Sequence, residues 1–429
     1  MDSSIYTPGA GHSPPVLAGR DHLLRAWQLM LNDTSAVGRV RALDIILTGP
    51  RGVGKTATVT AFGAAAAAQG FEVVNLQAVR GQQTLVDSLL HRAQGHIQSG
   101  AGPWTRARKA FERVAGVGLG VAGFNAELST HARENDVQPK DPTSLAEALA
   151  TLSREVRRDH DRGGVMVTVD EMQVAHPDDL ALLAATLHRL NVDHPEAVVV
   201  FAGTGLPHTP DTLRKAGVTH PDRLFMVEHL PLTLSAEDSA LALVLPAQRV
   251  GISWHPDAVD AVIRISNGYP AHLQLFAHAV WQQAPGPDRV EPIDVQRAIP
   301  GAAQQIGLRT LEPRWERMPE RQMEYLAALA LNGGATTSRE LATTLGRSQQ
   351  ASSTVREALI DEGDIYSPRR GHIRMAVPLF APYILTEYEN ARRDSARPDS
   401  MLSLDAMRAN RAPVEPAAIE PAAGLQQLS

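Results

Sequence analysis

The sequence predicts an α/β fold: a parallel sheet covered by helices, then a helical region, then a small domain of helices closed by a hairpin. Three patterns carry that expectation. From Ala42 to about Val227 short apolar runs alternate with stretches of helical period. After about Ser235 the strand-like runs stop, and from Glu320 the pattern shortens to brief helices and one hairpin.

The expected strands are Leu43–Thr48, Phe71–Leu76, Val165–Val169, Val198–Ala202 and Leu224–Val227. Each is short and mostly apolar, and several are β-branched, as strands covered on both faces are. Leu145, Leu149, Leu152 and Val156 share one helical stripe ahead of the third strand, and Leu180, Leu183, Leu187 and Leu190 share another after it. Ser235, with Asp238 three residues on, resembles a capping box, and helical patterns follow at Asp257–Ile265, Ala271–Gln282 and Val295–Ile306. These form a lid. Helices at Glu320–Leu331, Ser338–Leu345 and Gln349–Glu362 then precede a hairpin around Arg369-Arg370-Gly371, which together describe a winged helix.

The domain expectation is therefore an N-terminal segment 1–15 without structure, a sheet domain 16–233, a lid 234–312, a winged helix 313–390 and a disordered tail 391–429. Both ends are rich in Pro with Gly, Ser or Ala and lack hydrophobic periodicity. A chain of 429 residues with 43% hydrophobic content can bury a sizeable core in two or three domains. It contains no cysteine, which excludes disulfides, thiolate chemistry and cysteine zinc sites. The net charge of −6 gives no whole-molecule argument for nucleic acid, so any such site is a local patch. No basic segment with an apolar core opens the chain and no apolar run approaches a bilayer span, so the expectation is a cytoplasmic protein that is neither exported nor inserted in a membrane.

Between the first strand and an Ala-rich helix lies Gly49-Pro-Arg-Gly-Val-Gly54-Lys55-Thr56, which matches the phosphate-binding pattern GxxxxGK[ST] in its required context. Gly49, Pro50, Arg51, Gly52, Val53 and Gly54 would turn backbone N–H groups around phosphate oxygens, with Lys55, Thr56 and Ala57 opening the helix whose positive end faces them. Lys55 would reach the β/γ oxygens and the Thr56 hydroxyl would coordinate Mg²⁺. A second acidic element is needed at a strand end, and Val-Thr-Val-Asp170-Glu171 supplies it: Asp170 for the metal through water, Glu171 to orient or deprotonate the attacking water. Thr204, within Gly203-Thr204-Gly205, would place a hydroxyl beside the γ-phosphate if its strand lies between the other two; an ordinary structural turn explains the same residues.

Gly19-Arg20-Asp21, the phosphate loop, the acidic pair, the Gly-Thr-Gly strand end, Arg223-Leu-Phe, the helical lid and the winged helix together resemble the AAA+ ATPases over roughly 16–383, particularly the initiator-like branch related to origin recognition. The resemblance implies ATP as cofactor with Mg²⁺, hydrolysis, and a switch in conformation or assembly. It implies that Val16–Arg20 pack on adenine, that Asn75 restrains the catalytic glutamate, and that Arg223 is an arginine finger presented to a neighbouring copy. A surface arginine before an edge strand is the other reading of Arg223. Initiator-type lids place an arginine where this chain has Ala271. Gly268-Tyr269-Pro270 instead resembles the lid element of signalling-type relatives, in which the nucleotide is clamped by backbone and proline contacts, here Pro270; with the lid arginine missing, the expectation is slow hydrolysis and a nucleotide that serves as a switch. His272 beside it would touch phosphate or lie on the helix surface.

In the winged helix, Arg347 and Arg356 flank the third helix, while Arg369, Arg370 and Arg374 with His372 form the basic cluster of the hairpin. These residues are the expected contacts to double-stranded DNA. The alternative is a winged helix that packs on a protein partner or on the nucleotide domain. The segment Ala101–Ala126, with a basic start and a Gly-Val-Gly-Leu-Gly-Val run, reads as an inserted helix and loop.

Overall fold

Five parallel strands in the order β2-β3-β4-β1-β5 form the centre of the first unit in the computed structural model. They are β1 (Asp44–Thr48), β2 (Glu72–Gln77), β3 (Val165–Asp170), β4 (Val199–Gly205) and β5 (Phe225–His229). The structure describes residues 4–9, 11–37, 44–82, 85–98, 102–115, 141–283, 288–306, 315–375, 381–394 and 401–411. The described chain divides into two compact units, Met1–Gln305 and Ile306–Ser429.

Strands β1 and β4 are buried along their whole length, which is why they read as unbroken apolar runs rather than alternating ones. Helix α1 (Asp21–Val37) packs beside α2 (Lys55–Ala68), with Trp27 stacked on Phe62 at a centroid distance of 4.6 Å. The core continues through α3 (Leu85–Gln98), α4 (Pro103–Ala115), α5 (Pro142–Asp159) and α6 (Pro177–Asp193), where Leu149, Leu152, Phe111 and Leu187 are buried. Asp141 caps α5 by accepting from the N–H groups of Thr143 and Ser144.

The basic start of the Ala101–Ala126 segment is a helix, α4, whose Trp104, Ala107, Ala110 and Phe111 face the core. Its arginines are engaged with neighbouring acids: Arg106 with Glu155 and Asp159, Arg113 with Glu147, Arg108 with Glu112. Its Gly-Val-Gly-Leu-Gly-Val run lies outside the described residues.

Short helices α7 (Thr209–Lys215) and α8 (Pro221–Leu224) precede β5, and the lid of this unit contains α9 (Ala236–Gln248), α10 (Pro256–Ser266), α11 (Pro270–Gln283) and the start of α12 (Pro292–Ile306), with β6 (Ser253–Trp254) paired to β7 (Arg289–Val290). The Ser235 hydroxyl accepts from the Asp238 N–H at 3.0 Å and so caps α9. The expectation that 1–15 lacks structure is overturned over its described part. Tyr6 is buried in the lid, its hydroxyl donating to the Leu243 carbonyl at 2.5 Å and accepting from Trp254 Nε1 at 3.0 Å. Its ring meets Trp254 and Trp281 edge-on, at 6.3 and 5.8 Å. One aromatic anchor without period gave the sequence no signal.

The second unit places Glu320–Leu331, Ser338–Thr344 and Ser353–Asp361 around a small antiparallel sheet of β8 (Ala335–Thr337), β9 (Ile365–Tyr366) and β10 (His372–Met375), in the order β8-β10-β9. Thr337 and Glu340 exchange side-chain and backbone hydrogen bonds in a full capping box. The tail expectation is also corrected. Residues 381–394 are helical, and Met401, Leu404 and Met407 are buried in this unit, with the Arg411 guanidinium donating to the Leu331 carbonyl at 2.8 Å. The last described helix, Leu404–Asn410, has only seven residues, too few to show a helical period amid Pro and Ala.

Candidate functional site

Order and register bring the phosphate loop and the acidic pair to one end of the sheet. β1 ends at Thr48 and β3 at Asp170, with β4 paired to both, so Thr204 lies between the two ends. Gly54 caps α2 at φ 90°, a conformation that favours glycine, and turns the loop into the helix. Gly203 is favoured for a different reason: an added Cβ would meet the Met172 sulfur, so that side chain would have to move. The Gly-Thr-Gly stretch thus has a packing reason for a glycine and still presents the Thr204 hydroxyl to the acids.

Lys55 is buried within the loop, its Nζ donating to the carbonyls of Gly49 at 3.0 Å and Pro50 at 2.8 Å. Burial pulls its pKa down to about 8, against the opposing pull of Glu171 and Asp170. The Thr56 hydroxyl donates to Asp170, 3.0 Å from Oδ2 and 3.3 Å from Oδ1. The Thr204 hydroxyl donates to Asp170 Oδ1, and the Glu171 N–H reaches the same oxygen at 3.0 Å and the Thr204 Oγ1 at 3.3 Å. Glu171 has φ 57°, an uncommon conformation for a residue with a Cβ. A cleft of about 220 Å³ opens here, lined by Thr56, Thr60, Asn75, Arg92, Asp170 and Thr204.

Magnesium fits this donor set. Thr56 and Asp170 offer oxygen ligands only, and no group of three or more His, Cys, Asp or Glu that could hold a metal exists among the described residues. A hydroxyl and one carboxylate complete an octahedral shell only with phosphate oxygens and water, which is the way Mg²⁺ enters nucleotide sites.

The segment before α1 reaches the same loop. Arg20 is buried and its guanidinium donates to the Val53 carbonyl at 3.0 Å. From the lid, the Tyr269 hydroxyl donates to the Arg51 carbonyl, and burial keeps that phenol protonated by raising its pKa. Pro270, expected to contact nucleotide, opens α11 directly after Tyr269. His272 is buried rather than on the helix surface, 4.7 Å from the Tyr269 ring. Burial lowers its pKa to about 4, so it is neutral near pH 7.

Three expected residues fall elsewhere or act differently. Arg223 is exposed ahead of β5, and Phe225 pairs with Asp44 at the start of β1, so Arg223 lies at the sheet end opposite the phosphate loop and outside its own site. Asn75 Oδ1 accepts from the Thr168 hydroxyl at 2.8 Å, and among the described residues no hydrogen bond joins Asn75 to Glu171. Arg347 is not an open contact: its guanidinium pairs with buried Glu324 at 2.6 Å, and Glu324 also accepts from the Leu402 N–H at 2.9 Å. Arg356 is half-buried and reaches Ser338 at 3.5 Å, whereas Arg369, Arg370 and Arg374 are exposed on the hairpin. Gln173, Tyr269 and Arg92 join the site without having been expected there. Only Tyr269, inside Gly-Tyr-Pro, carried any motif signal.

Residues 16–200 match the AAA ATPase domain family, and residues 309–384 match a domain of unknown function, DUF8462. No curated protein matches the chain. Among solved structures, the fold resembles the Aeropyrum pernix ORC2 protein, solved as ADPNP-ADP complexes, at 16% identity and TM-score 0.52, covering 90% of this chain and 98% of that one. It also resembles the Walker-type ATPase paby2304 of Pyrococcus abyssi at 15% identity and TM-score 0.55, covering 89% and 99%. No described helix is long and apolar enough to cross a membrane.

Proposed function

Given an AAA ATPase domain over residues 16–200, which makes this chain a P-loop ATPase of the AAA+ class, we propose that it binds Mg·ATP between the Gly49–Ala57 loop and the Asp170–Glu171 pair and uses hydrolysis as a conformational switch. The network joining Thr56, Asp170 and Thr204 carries this reading, because it gathers a metal-binding hydroxyl, a carboxylate and a phosphate-facing hydroxyl from three separate segments.

In this reading Lys55 exchanges its loop carbonyls for β/γ oxygens, and Thr56 and Asp170 hold Mg²⁺. When bound, Mg²⁺ neutralises charge developing on the phosphate oxygens. Glu171 accepts a proton from the water whose oxygen attacks the γ-phosphorus, while the bond from that phosphorus to the bridging oxygen breaks and ADP leaves with the electron pair. Arg20 and Tyr269 link the loop to the N-terminal segment and the lid, so loop geometry is tied to lid position. Pro270 would add an apolar contact to the nucleotide. Arg223, pointing away from its own site, would serve a neighbouring copy in an oligomer.

The second unit would act as a winged helix on double-stranded DNA, with exposed Arg369, Arg370 and Arg374 meeting phosphates. The Arg347–Glu324 ion pair favours a second reading, in which this unit binds a protein and the ATPase is a signalling-type switch. ATP turnover measured with and without duplex DNA separates the two. Stimulation that fades with salt supports DNA; a rate indifferent to DNA at low salt rejects it.

A further inference from the structure

Glu171 is held by a side chain that no motif points to. Gln173 sits on the short turn Met172–Val174, two residues beyond the proposed water-activating carboxylate. Its amide bridges two elements: Nε2 donates to Glu171 Oε2 at 2.5 Å, and Oε1 accepts from the Leu206 N–H at 3.0 Å. The orientation of the amide follows from chemistry. A main-chain N–H can only donate, so the oxygen end of Gln173 must face Leu206 and the NH₂ end must face Glu171. Glu171 therefore accepts with one oxygen and keeps the other for a water.

Leu206 is buried immediately after β4, the strand that carries Thr204. The acidic turn is thus fastened to the end of β4 at two points, first through Thr204, which meets Asp170 and the Glu171 N–H, and second through Leu206, Gln173 and Glu171. The second fastening is the one that reaches the carboxylate of Glu171.

We propose that Gln173 is the positioning residue for Glu171: its amide fixes the carboxylate rotamer and ties it to the strand bearing Thr204, so that the base and the phosphate-facing hydroxyl move as one piece. This rests on the reading of Glu171 as the group that activates water.

The test uses the full chain with Mg·ATP and two substitutions. Gln173→Ala removes both bonds. Gln173→Glu keeps the acceptor for Leu206 but replaces the donor facing Glu171 with a second carboxylate. In both, kcat falls roughly 10- to 100-fold while the ATP dissociation constant stays within about twofold, the size of effect found when an orienting partner is removed from a functional side chain. Amide hydrogen exchange supplies a reading independent of turnover: the Leu206 N–H loses protection in Gln173→Ala and keeps it in Gln173→Glu. Either substitution made on top of Glu171→Gln lowers turnover no further, because the group being positioned is gone.

Unchanged kcat in both Gln173 variants, with turnover abolished by Glu171→Gln, overturns this inference and leaves the reading of Glu171 standing. A parallel loss of kcat, ATP affinity and Leu206 protection in both variants also overturns it, since that marks a merely structural side chain. Full turnover in Glu171→Gln overturns the reading itself and the role of Gln173 with it.

Discussion

The Thr56 hydroxyl stands 3.0 Å from Asp170 Oδ2, although the two residues are 114 positions apart in the chain. That contact is where the loop after β1 and the end of β3 become one site. Lys55 shares the loop, and its ammonium is desolvated among carbonyls that a phosphate would replace. Lys55→Ala should therefore weaken ATP binding by roughly 1.5–3 kcal/mol, the range for a hydrogen bond to a charged group. A fluorescent ATP analogue measures this; affinity equal to that of the unaltered protein refutes the role.

Glu171→Gln keeps the shape of the side chain and removes its basicity. Turnover should drop by about 10²–10⁴, with ATP still bound. Single-turnover hydrolysis of radiolabelled ATP reads the chemical step directly, and a rate near that of the unaltered protein discards Glu171 as the base.

The bond from the Tyr269 hydroxyl to the Arg51 carbonyl joins the lid to the phosphate loop. Tyr269→Phe removes only that oxygen. The loss should be about 1 kcal/mol in stability, with ATP released several-fold faster because the loop is less well ordered. Stopped-flow displacement of nucleotide gives the release rate. No change in release would mean the lid does not influence the loop.

His272 makes the lid sensitive to acid. Its folded-state pKa is lowered to about 4 by burial, so between pH 6.5 and 4 the unfolded chain binds more protons and stability declines as pH falls. The upper bound of the effect is roughly 3 kcal/mol. Buried Asp44, raised to about 7, contributes in the opposite sense, since its stabilisation is lost as pH rises through that value. Comparing the unaltered chain with His272→Phe cancels the Asp44 contribution. The variant should lose part of the acid-side decline in denaturant titrations at pH 7 and pH 5, and parallel curves would contradict the assignment.

The arginines of the second unit should separate into two kinds. Arg347→Ala leaves the buried Glu324 carboxylate with the longer 4.0 Å contact to Arg321 in place of its 2.6 Å ion pair and should cost up to about 3 kcal/mol. Replacing exposed Arg369 and Arg370 together should leave stability within about 0.5 kcal/mol. If the hairpin contacts DNA, the same double replacement should lower the salt slope of binding by about 2. An unaltered slope rejects the hairpin as the phosphate contact.

Much of this was legible because backbone geometry imposes its own residue types. Gly54, Lys55 and Thr56 are readable since a phosphate cradle admits few alternatives, and β3 into Asp170 is readable since a doubly covered strand leaves an unbroken apolar run. Tyr6 and Met407 were missed for the opposite reason: each anchors a short segment through one or two side chains, and no period announces them. Arg347 was misjudged because its partner, Glu324, lies 23 positions earlier on the helix Glu320–Leu331, and an ion pair between a loop and a distant helix leaves no local pattern. Gln173 was invisible for a similar reason, its second partner being the main-chain N–H of Leu206, just beyond β4.

The most direct test of the central claim is the crystal structure of the full chain with a non-hydrolysable ATP analogue and Mn²⁺ in place of Mg²⁺, read by anomalous scattering. The prediction is a metal peak bound directly to Thr56 Oγ1 and facing the Asp170 carboxylate, with the terminal phosphate beside Lys55 and Thr204. A metal or triphosphate seated anywhere else, or nucleotide bound with Asp170 remote from it, would contradict the account.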